Sequence, residues 1–337
     1  MRNYLPILLL LCTCFLLSCN SSDVKDVLDL AEGVPRKTID ANRLGVNSFA
    51  NDRRFGEISS QLNEVRDVLR LNYIRVLFAW SNEVQPTPLS NPDFSLYDEI
   101  SSNLPPGTET LVVITGLPDW MSDPQNWMSG NPRTDFVEQW VKKVVNRYAR
   151  NRRITAFEIW NEPNMESNRQ NQVMGFLGSA ENYVELLADS FNYIKSKAPT
   201  KLVVSAATTS INQDFPATID YNRRMRDAGA QAYADIWAVH YYGKQFENVI
   251  RDGGVADFLN GLDKPIWITE SGAQGVNEQL AYGEQVWPYL TEHIFGLQRI
   301  YQYQHTEATP AASTYGLRNL TSGFELSDLY VWLRDRP

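Results

Sequence analysis

Eight short apolar runs alternate along the chain with longer segments of helical period, and this alternation restricts the possible folds most strongly. The runs are Leu44 to Phe49, Tyr73 to Trp80, Thr110 to Gly116, Ile154 to Trp160, Lys201 to Ala207, Asp235 to Tyr242, Pro265 to Glu270 and Arg299 to Gln304. Strands that alternate with helices build parallel βαβ units, and eight such units close a barrel. An open doubly wound sheet is the competing arrangement, but no glycine-rich turn follows the first run. We therefore predict an α/β fold, a (β/α)8 TIM barrel, as a single domain over residues 38–337.

The residues that precede this domain differ from it in character. Arg2 is followed by an apolar run from Leu5 to Leu17, which is shorter than the roughly 20 residues that a membrane span needs. The run ends in Leu16-Leu17-Ser18-Cys19, which resembles the bacterial lipobox, whose cysteine is lipidated. An ordinary signal peptide with an incidental Cys19 is the alternative. We predict a lipoprotein signal peptide over residues 1–18 and a polar tether over 19–37. The protein is then exported and lipid-anchored through Cys19 to a bacterial membrane, on its periplasmic or cell-surface face.

Composition excludes several functions. The net charge of −9 and the pI of about 5.0 argue against nucleic acid as a partner, because an acidic surface repels phosphate. The only cysteines are Cys12, Cys14 and Cys19, so the domain can form neither a disulfide nor a thiolate metal site. The three histidines do not have metal-ligand spacing, and the sequence contains no phosphate-binding loop. We predict no metal and no cofactor, and nothing in the sequence implies a protein partner.

Two glutamates follow apolar runs at the same predicted edge of the barrel. Glu162 follows the fourth run and Glu270 ends the seventh. Active sites of such barrels lie where the strands end. Cleavage of a glycosidic bond needs two carboxyl groups, one to protonate the leaving oxygen and one to attack or stabilise the sugar. Nine tryptophans and sixteen tyrosines also fit a sugar-binding protein, since flat rings stack on sugars.

The motif around the first glutamate carries a resemblance to a known group. Trp160-Asn161-Glu162-Pro163 resembles the strand-four signature of clan A retaining glycoside hydrolases. Family 39 is the most similar in pattern, through the run from Phe157 to Asn164, the Leu117-Pro118-Asp119-Trp120 turn and Tyr315-Gly316-Leu317. Family 5 is a near rival, and it draws attention to Arg75 and to His240-Tyr241-Tyr242.

The resemblance implies a lipid-anchored retaining β-glycosidase that hydrolyses a poly- or oligosaccharide by double displacement. It assigns Glu162 as the acid/base, Glu270 as the nucleophile and Asn161 as a contact of the sugar 2-hydroxyl. Strict strand alternation would point Asn161 away from Glu162, so a bulge or the start of the loop must intervene. A catalytically inactive carbohydrate-binding or adhesive surface lipoprotein on the same barrel is the alternative.

The neighbouring polar residues can also be assigned physically. Arg75 lies in an apolar run, where an unpaired charge would be costly, so we expect it to pair with Glu270; an arginine that points to the surface is the alternative. His240 and Tyr242 share one face of a strand. Because of the family resemblance we expect both to hydrogen-bond the Glu270 carboxylate; a buried histidine satisfied by the backbone and a core tyrosine are the alternative.

Two departures from the related families concern the substrate. The histidine pair that family 5 carries after strand three is replaced by Ile114-Thr115-Gly116-Leu117. The eighth run lacks the tryptophan that often forms the floor of the sugar site, and Tyr303 is the candidate substitute. Trp120 and Trp127 lie in one loop, where a role as a sugar platform and a role in loop packing both stay open.

Overall fold

The computed structural model describes residues 33–320 and 324–337. The predicted signal peptide and Cys19 lie outside these residues. Eight strands form the barrel: β1 (Leu44–Asn47), β2 (Tyr73–Ala79), β3 (Glu109–Thr115), β4 (Ile154–Ile159), β5 (Leu202–Ser205), β6 (Trp237–Tyr242), β7 (Ile266–Gly272) and β8 (Leu297–Gln302). They pair in parallel in the order β5-β4-β3-β2-β1-β8-β7-β6. The two end strands meet through a bridge between Val204 and Ile236, which closes the barrel. The predicted (β/α)8 fold is confirmed.

Helices fill the connections between the strands. They are α1 (Ile58–Asn63), α2 (Ser95–Asn103), α3 (Pro132–Phe136), α4 (Lys142–Tyr148), α5 (Arg169–Met174), α6 (Ala180–Lys197), α7 (Ala217–Asp227), α8 (Phe246–Ile250), α9 (Val255–Asn260), α10 (Gln279–His293) and α11 (Asp328–Asp335). Single π-helical turns extend α1 over Glu64–Val68 and join α3 to α4 over Val137–Val141. After β8 the chain adds a small sheet of β9 (Thr306–Glu307), β10 (Arg318–Leu320) and β11 (Phe324–Leu326). Among the helices of the described residues, none has the length and apolar character that crossing a membrane requires.

The segment before β1 packs against α10. The backbone N–H of Lys37 donates to the Glu284 carbonyl at 2.8 Å, and Arg36 forms an ion pair with the Glu284 carboxylate at 2.5 Å. The Gln285 side chain donates to the Val34 carbonyl at 3.1 Å. The last residues of the stretch that the sequence suggested as a tether therefore contact the barrel already from Val34.

An apolar layer fills the interior of the barrel. It contains Leu111, Ala156, Val204, Ala207, Ile236, Ala238, Trp267 and Tyr301, with Tyr73 against it. Side chains from strands on opposite sides of the barrel can meet only inside it, so these positions mark the inward face of each strand. Gly45 of β1 leaves the space that the Tyr301 ring occupies, because a Cβ atom there would lie 2.6 Å from that ring. The next layer of inward side chains lies on this apolar layer, toward the carboxyl ends of the strands.

Candidate active site

The layer of inward side chains next to the apolar layer is polar. Successive inward residues of a strand are two positions apart, and two residues beyond Gly45, Tyr73, Ala156, Ala238 and Trp267 come Asn47, Arg75, Glu158, His240 and Thr269. All five of these polar side chains are buried. They lie toward the carboxyl ends of the strands, which is the end of the barrel that carries active sites in this fold.

Arg75 organises this layer with its whole guanidinium group. Its Nε and Nη2 donate to the two carboxylate oxygens of Glu158 at 2.8 and 3.2 Å. Its Nη1 donates to Asn47 Oδ1 and to Glu270 Oε1, both at 2.7 Å, and Nη2 also donates to Asn161 Oδ1 at 2.8 Å. The five N–H donors of the side chain thus have five acceptors, as a nearly fully buried arginine requires. The predicted pairing of Arg75 with Glu270 is present, and Glu158 is a second carboxylate partner.

A bulge in β7 brings Glu270 into the barrel. Val239 and His240 of β6 pair with Ile268 and Glu270, so β7 has one residue more than its neighbour at this point. The register between β7 and β8 also changes between Ile268 and Ser271. As a result, Thr269 and Glu270 both reach inward although they are consecutive, and the Thr269 hydroxyl lies 3.4 Å from Glu158 Oε1.

The surroundings of Glu270 favour its ionised form. Oε1 accepts from Arg75, and Oε2 accepts from the Tyr242 hydroxyl at 2.9 Å. Burial raises the pKa of this carboxyl, but the charges of His240 and Arg75 and the hydrogen bonds from Arg75 and Tyr242 outweigh burial, so the net pKa lies below its usual value. Burial and the adjacent Glu270 carboxylate raise the pKa of the Tyr242 hydroxyl, which keeps it a proton donor.

The chain leaves β4 through two residues with positive φ. Trp160 has φ 75° and Glu162 has φ 47°, conformations that cost non-glycine residues about 1–3 kcal/mol each. Asn171 of α5 holds this exit: its Nδ2 donates to the Glu162 carbonyl at 2.8 Å, and its Oδ1 accepts from the Trp160 indole at 2.8 Å. The irregular backbone resolves the conflict that alternation raised, because Asn161 and Glu162 both face the barrel mouth.

His240 lies between the two glutamates. Its Nδ1 is 2.8 Å from Glu162 Oε1, and its Nε2 is 3.5 Å from Glu270 Oε1. The prediction that it hydrogen-bonds Glu270 was therefore wrong in its partner: the short hydrogen bond goes to Glu162, because the exit from β4 brings that carboxylate over the imidazole. Burial lowers the pKa of His240, but the Glu270 charge and the interactions with Glu162 outweigh burial and raise it overall.

The two carboxylates lie close together. Glu162, His240 and Glu270 each offer one ligand atom, and these atoms lie within 4.8 Å of one another. This spacing could hold a metal ion, but the Arg75 guanidinium, 2.7 Å from Glu270 Oε1, would repel a cation there. The arrangement therefore fits a metal-free carboxyl pair better than a metal centre.

The two predicted aromatic contacts have different surroundings. Tyr303 is half-buried and packs edge-on against Tyr242, with ring centroids 6.2 Å apart, so it lies beside the carboxyl pair. Trp120 is half-buried in the loop after β3, where its indole N–H donates to the Gln85 carbonyl at 2.9 Å and its ring packs edge-on against Trp80. The contacts of Trp120 are those of loop packing.

Three residues of this arrangement were absent from the sequence-based site: Glu158, Asn47 and Asn171. Glu158 could have been found, because a glutamate in the middle of the apolar run Ile154 to Trp160 needs a buried cation just as Arg75 needs an anion. Asn47 ends the first strand, where a polar side chain faces the barrel mouth. Nothing in the local pattern distinguishes Asn171 from other polar residues of a helix.

Comparisons with known proteins concern the sequence family and the fold of the chain. The sequence model of the family described as "Glycosyl hydrolase catalytic core" matches residues 125–312, which is more than half of the chain. A search of curated proteins gives no significant match.

Among solved structures, the chain is similar to a family 39 glycoside hydrolase from the gut symbiont Bacteroides cellulosilyticus WH2, with 16% identity and a TM-score of 0.61 over 89% of this chain and 63% of that one. It is similar to a monomeric beta-xylosidase from Caulobacter crescentus CB15, with 16% identity and a TM-score of 0.64 over 89% of this chain and 69% of that one. It is also similar to the family 39 enzyme from Xanthomonas axonopodis pv. citri, with 14% identity and a TM-score of 0.62 over 90% of this chain and 67% of that one. The chain thus spans about two thirds of the length of these proteins, and at this identity the likeness concerns the fold.

Proposed function

The chain belongs to the glycosyl hydrolase catalytic core family, and from this we propose that it is a retaining β-glycosidase that hydrolyses O-glycosidic bonds of a poly- or oligosaccharide. One observation supports the proposal above all: an oxygen of Glu162 and an oxygen of Glu270 lie within 4.8 Å of each other. Retaining enzymes keep their carboxyl groups about 5–5.5 Å apart, whereas inverting enzymes need about 6.5–9.5 Å to admit a water molecule.

In the first step Glu270 is the nucleophile. Its lowered pKa keeps the carboxylate ionised, and Arg75 and Tyr242 each hold one of its oxygens, so the carboxylate is fixed in place for attack on the anomeric carbon. Glu162 gives its proton to the leaving glycosidic oxygen as the carbon–oxygen bond breaks. The result is a glycosyl ester on Glu270 and a released alcohol.

In the second step Glu162 acts as the base. The carboxylate that it has become takes a proton from water, and the hydroxide oxygen attacks the anomeric carbon. The ester bond breaks, Glu270 returns as a carboxylate and Glu162 is protonated again. Two displacements on one carbon leave its configuration unchanged.

The other residues of the site position these two. Arg75 and Tyr242 hold the two oxygens of Glu270, and Arg75 also fixes Asn161, which is then available to the 2-hydroxyl of the reacting sugar. Hydrogen bonds to this hydroxyl that strengthen in the transition state add several kcal/mol to catalysis in such enzymes. Tyr303, packed against Tyr242, would supply an apolar wall for the ring.

We further propose that the enzyme works at a membrane. The lipobox-like sequence that ends in Cys19 supports export and a lipid anchor, on the periplasmic or the cell-surface face. A tether between Cys19 and the packed residue Val34 would let the barrel mouth reach a polymer at some distance from the lipid surface.

The test is product analysis on xylan, mannan, glucan and the cell's own exopolysaccharide, followed by proton NMR of the first-formed sugar. We expect hydrolysis of at least one polymer with retained β configuration, and no turnover by Glu270→Ala. An inverted product would refute the two-step mechanism. If the wild type binds a polymer but, like Glu270→Ala, cleaves none, the protein is the carbohydrate-binding lipoprotein of the alternative.

A further inference from the structure

A second cleft opens between the loops that follow β3 and β4. It has a volume of about 710 Å³, a size typical of small-molecule sites. Leu117, Pro118, Asp119 and Trp127 line it from the β3 side, and Gln170 and Gln172 from the β4 side. Both loops lie at the carboxyl ends of the strands, on the same end of the barrel as Glu162 and Glu270.

Trp127 gives this cleft a flat, fixed aromatic surface. The side chain is half-buried, and its indole N–H donates to the Met121 carbonyl at 2.8 Å. The polar edge of the ring is thereby satisfied inside the protein. A ring held in this way presents apolar surface to the cleft at little cost in conformational entropy.

Polar groups line the cleft together with this ring, and two of them are held by hydrogen bonds. Asp119 exchanges two hydrogen bonds with Asn82: its carboxylate accepts from Asn82 Nδ2 at 2.6 Å, and its backbone N–H donates to Asn82 Oδ1 at 2.8 Å. Gln170 Nε2 donates to the Leu117 carbonyl at 3.1 Å, which leaves its Oε1 as an acceptor. Arg169 adds a positive charge that balances Asp119. A stacking face with fixed acceptors, a guanidinium donor and no net charge suits a neutral sugar.

The lining of the cleft includes the sequence neighbours of a residue that contacts the backbone of the proposed acid/base residue. Asn171 hydrogen-bonds the Glu162 carbonyl, and its sequence neighbours Gln170 and Gln172 line the cleft. We propose that this cleft binds a neutral sugar unit of the substrate chain on the leaving-group side of the cleaved bond. The inference rests on the proposed function, because only a glycosidase has a leaving-group side, and it adds that the enzyme acts on oligosaccharides longer than a disaccharide.

A cleft on the other side of the β4 loop offers a matched control. It measures about 570 Å³ and is lined by Asn164, Glu166 and Thr209 among others. Its aromatic residue, Tyr221, is only 3% exposed, so it offers no flat surface for stacking. Glu166 is exposed and lies four residues after Glu162 in the sequence, nearer to it than Gln170 is, which makes Glu166→Gln a suitable control substitution.

The experiment measures binding without turnover. Glu270→Gln, alone and combined with Trp127→Ala, Trp127→Tyr or Glu166→Gln, is titrated calorimetrically with the tri- and hexasaccharides of the β-1,4-xylo, manno and cello series. We expect at least one hexasaccharide to bind more tightly than its trisaccharide. Trp127→Ala should reduce this preference about tenfold, the loss typical of a central aromatic contact. Trp127→Tyr, which keeps a stacking ring, should retain most of the preference, and Glu166→Gln should leave it unchanged.

Each outcome bears on one proposal. If Trp127→Ala and its parent prefer the hexasaccharide equally, or if no hexasaccharide is preferred, the proposed sugar site in the cleft is refuted. Hydrolysis by the wild type would still support the proposed glycosidase activity. A Trp127-dependent preference in a protein that hydrolyses nothing would keep the cleft as a sugar site and refute the enzyme. Thermal unfolding of each variant shows whether Trp127→Ala has lost its fold. In that case the hexasaccharide preference of Trp127→Tyr is compared with that of Trp127→Leu, and a sugar site requires the larger preference in Trp127→Tyr.

Discussion

Removal of the Arg75 charge tests how the site keeps Glu270 ionised. Arg75→Met alone would leave Glu158 and Glu270 buried without their cation, and breaking a buried ion pair in this way costs about 3–5 kcal/mol of stability. Arg75→Met combined with Glu158→Gln removes one positive and one negative charge together. Replacing both members of a buried pair is often close to neutral, so we expect the double variant to fold.

The size of the effect follows from the geometry. Arg75 Nη1 lies 2.7 Å from Glu270 Oε1, and charges about 4 Å apart interact by about 4 kcal/mol at an effective dielectric constant of about 20. That corresponds to a ceiling of about 3 pKa units, and one neighbouring arginine commonly lowers a carboxyl pKa by about 1–3 units. His240 and Tyr242 remain beside Glu270 and keep part of the stabilisation. We therefore expect the Glu270 pKa to rise by about 1–3 units in the double variant.

The pH dependence of kcat/KM reports this change. Glu270 must be ionised to attack, so activity falls as the pH falls through its pKa, and the acid limb of the double variant should move to higher pH by the same amount. The assay uses the 4-nitrophenyl glycoside that the wild type hydrolyses best. Glu158→Gln alone, which keeps the Arg75 charge, is the control whose acid limb should not rise. An acid limb that stays in place in a folded double variant would refute the role assigned to Arg75.

Three further predictions concern other parts of the molecule. Glu162→Ala should still turn over substrates whose leaving groups need no proton, and azide should restore its turnover by attacking the glycosyl-enzyme; absence of a β-glycosyl azide in the mass spectrum and NMR would contradict the acid/base assignment. Cys19→Ser should move the protein from the membrane to the soluble fraction without loss of intrinsic activity, whereas a variant that still fractionates with membranes would contradict lipidation. Burial, with Arg318 nearby, lowers the pKa of His305 to about 3, so the unfolded chain binds a proton below about pH 6.5 that the folded protein does not, and stability falls as the pH falls. His305→Asn should therefore reduce the loss of stability between pH 7 and pH 5 by about 2 kcal/mol in urea titrations; an unchanged loss would contradict a neutral His305.

The fold could be predicted because its signal is spread over the whole chain. Each of the eight apolar runs overlaps an observed strand, and the parallel order follows from alternation with helices. Errors of a few residues at element ends do not change such a prediction. The carboxyl pair could be predicted for the same reason, since Glu162 follows β4 and Glu270 lies near the end of β7, and the carboxyl ends of these strands must meet at one rim.

The contacts within the site were harder to predict. The pairing of Arg75 with Glu270 was predicted, but its second carboxylate partner, Glu158, was not. Glu158 could have been found, because a buried guanidinium needs more acceptors than one carboxylate supplies. The partner of His240 was not identified, because which carboxylate it meets depends on how far the chain has turned after β4. Sequence periodicity carries no signal for that turn.

The two departures from regular backbone coincide with the two glutamates, and the geometry explains why. In an unbroken β7, Thr269 and Glu270 would face opposite sides, so the inward threonine that contacts Glu158 would send Glu270 out toward the helices. In an unbroken β4, Glu162 would share the inward parity of Glu158, but Asn161 would point away from Arg75 instead of accepting from it. The bulge and the positive-φ exit each add one inward side chain to a layer that regular strands had already filled. A barrel whose strands stayed regular could hold the Arg75–Glu158 pair, but it would lack either the second carboxylate or the amide beside it. The irregularities are therefore what adds two carboxyl groups, with oxygens within 4.8 Å of each other, to a buried ion pair.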